Sequence, residues 1–180
     1  WADANNPVFH ITQKSSIPVK LTAIIEPWRL RPDTLPELNT SDLLEDRSKP
    51  GNLHEPVIVD PDIILKESDK YIGWYHHNSR SAGFDLTNKL QGLSEYFETD
   101  PLINRTFGAL ITGTGSRKLD EMTLQTSQSE EGSINIFVTT THPSEPVEWL
   151  AEIEKLAEDI ESVSYSERRK SHENWWAGFW

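Results

Sequence analysis

Ile134-Asn135-Ile136-Phe137-Val138-Thr139-Thr140-Thr141 is the stretch whose reading decides the fold. Ile134, Ile136 and Val138 alternate with Asn135, Phe137 and Thr139, the period-two pattern of a strand, in a run rich in β-branched residues. Far upstream the period recurs: Val19, Leu21, Ala23 and Ile25 alternate with Lys20, Thr22, Ile24 and Glu26, as in a strand with one buried face. Short β-rich bursts at Val8–Thr12, Pro56–Asp60, Ile63–Leu65, Tyr71–His77, Thr106–Thr112 and Met122–Thr126 lie before and between these two runs, separated by Pro, Gly, Asn and Asp. With Val19–Glu26 and Ile134–Thr141 they predict about eight strands. No amphipathic helix separates most successive strands, so an antiparallel sandwich is expected rather than a parallel sheet. Two stretches differ. Phe84, Leu86, Leu90, Leu93 and Phe97 fit a short helix, and the polar, proline-bearing stretch from Arg31 to Pro56 is longer than compact domains usually leave structureless.

From Pro146 onward the pattern is helical. Pro146 suits a first helical turn, and Leu150, Ile153, Ala157 and Ile160 form a stripe opposite a solvated Glu/Asp-rich face. Ser162–Ser166 interrupts it, and Ser164 or Ser166 can cap a second helix by accepting a backbone N–H. On that helix His172, Trp175, Trp176 and Phe179 share one face, with Trp180 beside them. Each large aromatic buries about 150–250 Å² when it docks, so the stripe is expected to pack on a partner. The expected division is a β-sandwich over 1–145 and helices over 146–180. Trp1-Ala2-Asp3 has neither an initiator Met nor a leader pattern, and both ends are expected to be cuts from a longer protein.

Composition narrows the chemistry. The 180 residues suffice for one domain with a core, and the net charge of −12 argues against nucleic acid as a partner. The absence of cysteine removes disulfides, thiolate catalysis and cysteine-based zinc sites. No run has the roughly 18 apolar residues of a membrane helix. His10, His54, His142 and His172 are isolated, and the adjacent His76 and His77 point to opposite faces of a strand, so no metal site and no cofactor are expected. His76 and Asn78 share a side, either as satisfied structural polar groups or as ligand or interface contacts. Carboxylates are abundant, but spacing alone nominates no catalytic pair, and G-x-S-x-G, H-E-x-x-H and phosphate-binding glycine motifs are missing. Asp100-Pro101-Leu102-Ile103-Asn104-Arg105-Thr106-Phe107-Gly108 reads as a turn entering a strand. It is either a structural corner in which Asp100 and backbone carbonyls pair Arg105, or a contact with a neighbouring domain or a sugar.

Four stretches together resemble a known family: Asp3-Ala4-Asn5-Asn6-Pro7-Val8 with Glu26-Pro27-Trp28-Arg29, then Trp74-Tyr75-His76-His77-Asn78, then Asp100 to Gly108, and finally His172 to Trp180. They are similar to the N-terminal β-sandwich region of bacterial proteins related to glycoside hydrolase family 95, the group that includes alpha-L-fucosidases. The resemblance implies a mainly β fold, part of an antiparallel β-supersandwich, followed by C-terminal linker helices that lead into an (α/α)6 barrel. That barrel holds the family's catalytic carboxylates, so no catalytic residue is carried onto this chain. The implied function is that of a non-catalytic N-terminal domain in a periplasmic or extracellular glycoside hydrolase acting on alpha-L-fucosides or galactosides, with the barrel as intramolecular partner. Trp74, His76, Asn78, Asp100, Asn104, Arg105, Trp175, Trp176 and Trp180 are the candidate ligand or interdomain contacts. Two alternatives stand beside it: a carbohydrate-binding sandwich using Trp28, Trp74 and Tyr75 as stacking platforms, and a purely structural interaction domain.

Overall fold

Strand β10 (Ser129–Thr141) holds the fold together by pairing antiparallel with the first strand, β1 (Val8–Val19), on one side and with β7 (Thr106–Gly113) on the other. The structure, a computed structural model, describes residues 1–35, 57–81, 83–96 and 99–180. Beyond β7 follow β6 (Ile72–His77) and the short β5 (Ile63–Ile64), giving a five-stranded sheet in the order β1-β10-β7-β6-β5. A second sheet has the order β2-β9-β8, formed by Thr22–Ile24, Thr123–Gln125 and Arg117–Asp120. β3 (Asp33–Leu35) and β4 (Val57–Val59) make a separate antiparallel pair. Helix α1 covers Phe84–Gln91, α2 Pro146–Glu161 and α3 Tyr165–Phe179. The chain is therefore mainly β, with antiparallel sheets and helices at its C-terminus.

Both faces of the large sheet are covered. On one, Val8, Leu110 and Phe137 sit in register across β1, β7 and β10 and pack with Tyr71 against Trp149, Ile153, Ala157 and Ile160 of α2. On the other, Ile72, Ile111 and Ile134 pack against Ile25 and Leu124 from the small-sheet side. The period of 134–139 suggests a single apolar face, yet Phe137 is fully buried, because α2 covers the face that its neighbours Asn135 and Thr139 share. Each such side chain contributes about 1.5–3 kcal/mol of hydrophobic stabilisation. Gly108 permits close approach at the β6–β7 seam, where a Cβ would lie 2.1 Å from the Trp74 carbonyl and 3.0 Å from the Trp149 ring.

Other expectations shift in detail. Val19–Glu26 is not one strand: Val19 closes β1 opposite Ser129, and β2 begins at Thr22 in the second sheet. Pro18 precedes that exit, on an edge strand where a residue without an N–H is tolerated. The inward set is still as the alternation implies, with Ile25 buried and Leu21 and Ala23 packed beside it. The expected helix from Phe84 is α1, which stops at Gly92, whose φ of 70° is left-handed; Phe97 lies outside the described residues. Of the Arg31–Pro56 stretch, 36–56 lie outside the described residues, and Asp33–Leu35 forms β3. Pro146 starts α2, where Glu145 and Glu148 close a reciprocal capping box, and Ser164 with Glu167 does the same for α3.

Candidate functional site

β6 carries the first expected contact residues to one end of the large sheet. Trp74 is half-buried, edge-on to Phe107 at 6.1 Å, so its ring serves the core. His76 follows on the same face, buried, with its Nδ1 3.1 Å from Asp62 Oδ1. That oxygen also receives Arg29 through Nε at 3.1 Å and Nη2 at 2.8 Å. Asp62 therefore joins the Arg29 loop, the residue pair before β5, and β6, and fixes the imidazole's orientation while Nε2 makes no hydrogen bond among the described residues. Beside it, Asp60 accepts the Ser79 hydroxyl at 2.6 Å and pairs with Arg80. The Ser79 bond foremost, with help from Arg80, holds the Asp60 carboxyl below its ordinary range. His77 points the other way, its Nδ1 2.8 Å from Thr106 Oγ1.

Asn78, Asp100, Asn104 and Arg105 do converge, in a corner where three chain segments meet. Asn78 donates its backbone N–H to the Arg105 carbonyl and accepts that of Asn104, both at 2.9 Å, while its Nδ2 donates to the Leu102 carbonyl at 3.1 Å. Asn104 adopts φ 59°, a left-handed turn that asparagine tolerates, and its carbonyl accepts Ser144 N–H at 2.8 Å. The expected Asp100–Arg105 pairing is corrected. Asp100 is buried and spends its carboxylate on Leu102 N–H at 2.8 Å and the Ser81 hydroxyl at 2.7 Å, closing the turn locally. Arg105 Nε is buried without a hydrogen-bond partner.

Of the remaining expected contacts, Trp175 and Trp176 sit on α3, none of whose residues is buried, and Trp180 caps its C-terminus. Its first turns meet the N-terminal segment: Trp1 Nε1 donates to the Tyr165 hydroxyl at 3.2 Å, Ala4 N–H to His172 Nδ1 at 3.1 Å, and Asn5 Nδ2 to Ser171 Oγ at 3.1 Å. Trp1 stacks obliquely on His10 at 4.3 Å, and the Arg169 guanidinium lies 5.3 Å from its ring. His10 is buried, with Nδ1 2.8 Å from Asn135 Oδ1; burial, opposed by that bond, pushes its pKa down. Beyond His172 the helix presents aromatic rings to one another. Trp175 stacks on Phe179 at 5.4 Å, Trp176 on Trp180 at 6.3 Å, and Trp175 meets Trp176 edge-on at 4.8 Å. They remain open: Trp175 is 42% exposed, Trp176 40%, Phe179 61% and Trp180 91%, so the described domain does not cover the stripe.

A groove of about 1160 Å³ runs between α2 and the segment from Ile63 to Tyr71. Leu110, Leu150 and Ala157 line its apolar part, and Tyr75, Glu154, Glu158 and Glu161 supply polar groups. Tyr71 donates to Glu154 at 2.5 Å, and burial first, then this bond, pushes its phenol up to about 12. Among the described residues no three His, Cys, Asp or Glu side chains are grouped to hold a metal, and no helix is long and apolar enough to cross a membrane.

The sequence model of a family described as Domain of unknown function (DUF5703) matches residues 1–180, the whole chain. The chain belongs to that family. No curated protein and no solved structure matches it. Nothing in these comparisons links this member of the family to glycoside hydrolase family 95.

Three participants escape sequence reasoning. Asp62 and Arg29 reach His76 only through the fold, being 14 and 33 residues from their respective partners. Trp149 lies beside the predicted Leu150 stripe and is the larger, fully buried side chain. The groove arises where α2 crosses the sheet, and the strand pattern contains no trace of it.

Proposed function

We propose that this domain is a non-catalytic β-sandwich module of a periplasmic or extracellular bacterial glycoside hydrolase-like protein, and that the aromatic end of α3 is its seam with a helical catalytic domain of the same polypeptide. The observation that supports this reading is the exposure of Trp175, Trp176, Phe179 and Trp180 on a helix anchored to the sandwich at its other end. Since α2 shares the sheet's core, α3 alone is the linking element. In this reading the corner formed by Asn78, Asp100, Asn104 and Arg105 is scaffold. The test is the double substitution Trp175→Ala/Trp176→Ala, made in the 180-residue domain and in the polypeptide as its gene continues beyond Trp180. Melting of the domain should hardly change, whereas docking in the longer protein should weaken by about 3–5 kcal/mol per buried ring. Equal effects in both, or glycoside turnover by the purified domain, would overturn the reading.

The groove favours a second reading, that of a carbohydrate-binding module. Its apolar floor suits sugar faces, and Tyr75, Glu154 and Glu158 suit sugar hydroxyls. Titration with a glycan panel decides it: saturable binding that Tyr75→Ala abolishes supports the groove, and no binding at millimolar sugar removes it.

A further inference from the structure

Helix α3 hydrogen-bonds to the N-terminal segment, and its Tyr165 ring also meets His10 of β1 edge-on at 6.4 Å. Its first turns reach Trp1, Ala4 and Asn5, and none of its residues is buried. We propose that this attachment is a proton-sensitive latch, in which protonation of His172 releases α3 from the N-terminal segment. The latch concerns how α3 is held and stands whether or not the aromatic end meets a helical domain.

The chemistry follows from one bond. His172 Nδ1 lies 3.1 Å from the Ala4 nitrogen, whose N–H can only donate. An imidazole nitrogen accepts such a bond only while it keeps its lone pair, so the ring must be neutral with its proton on Nε2. Protonation places a hydrogen on Nδ1 and turns an acceptor facing a donor into two donors facing each other. The Trp1 ring lies 4.7 Å from the His172 ring, so movement of His172 also disturbs the wedge between α3 and β1.

The charged surroundings add to this. On α3 itself Arg168 stands four residues before His172 and Arg169 three before it. Arg168 has its Nε and Nη1 buried without partners, and Arg169 lies over Trp1. With Lys170, α3 already carries three cationic side chains, and protonation of His172 adds a fourth. The nearby carboxylates are already engaged: Glu173 accepts Arg169 Nε at 2.7 Å, and Asp3 on the N-terminal segment accepts Asn5 N–H at 2.9 Å and Asn6 Nδ2 at 3.1 Å. From β1, His10 Nε2 lies 3.7 Å from Asp3. His10 does not share the switching chemistry, because its Nδ1 faces Asn135 Oδ1, an acceptor that suits the protonated ring equally well.

The experiment is a pH titration of the isotope-labelled 180-residue chain by NMR, following the His172 ring, the Ala4 amide, the Trp1 indole and the Phe137 amide. The latch predicts that the Ala4 amide and Trp1 indole shift with the midpoint of the His172 ring, while Phe137 in β10 stays unchanged. In His172→Gln, whose side-chain oxygen can accept the Ala4 N–H at any pH, those shifts should be lost. An Ala4 amide that ignores the His172 titration overturns the proposal, and so does loss of the Phe137 amide at the same midpoint, which would mean that the sheet itself opens. Should His172→Gln fail to fold, the wild-type comparison of midpoints still decides.

Discussion

His10 shows what a single side chain does in this sheet. It is buried beside Trp1, and desolvation of its charged form pushes its pKa below the ordinary value of 6.5. The native state therefore prefers the neutral ring, and between the two values the unfolded chain binds more protons. The stability His10 contributes is fully present above about pH 6.5 and declines as pH falls from there toward the lowered native value. Thermal melts from pH 8 to pH 5 should show a downward slope that is shallower in His10→Gln; identical slopes would contradict it. The position was not legible as anything but an isolated histidine, because Asn135 joins it across 125 residues. His76 teaches the same lesson: its strand and face follow from alternation, whereas the Asp62–Arg29 pair that orients it is set by loop placement. Asp100 is a nearer miss. A turn at Asp-Pro was legible, and that same turn geometry directs the carboxylate to Leu102 and Ser81 and away from Arg105.

Among the elements, α2 has the largest consequence. Trp149, Ile153, Ala157 and Ile160 recur at helical spacing and are all buried against the sheet, with the Trp149 ring 5.7 Å from Tyr75. Trp149→Ala should cost about 3–5 kcal/mol, through lost burial and a cavity above Gly108. Chemical denaturation of the two proteins measures it, and a loss under about 1 kcal/mol would show that the helix is not integral to the core. A stripe read from sequence is broad enough to be centred on Leu150 or Trp149, which is why the pattern gave the helix and missed its main anchor. Strands with strong alternation were legible for the same reason that β8 was not: Arg117-Lys118-Leu119-Asp120 offers one apolar residue and lies at the end of a sheet, where charge is tolerated. Both helix starts, Pro146 and Ser164, follow from local capping chemistry that needs no tertiary information.

At the scale of the molecule, the antiparallel, mainly β character was legible, and the layering was not. Period-two alternation distinguishes the faces of a strand but does not say that both will be covered, so Phe137 reads as outward until α2 is placed over it. The fold also ties its ends together, since Val8 lies opposite Phe137 across the β1–β10 ladder. During synthesis β1 leaves the ribosome well before β10, its neighbour in the large sheet among the described residues, and pairs with it only after the intervening chain has followed. Closing so long a loop places this domain among slow folders, on the millisecond-to-second scale of non-local β topologies. Until then Val8, buried in the finished domain, waits on an open strand edge, and the nascent chain has its own reason to meet a chaperone.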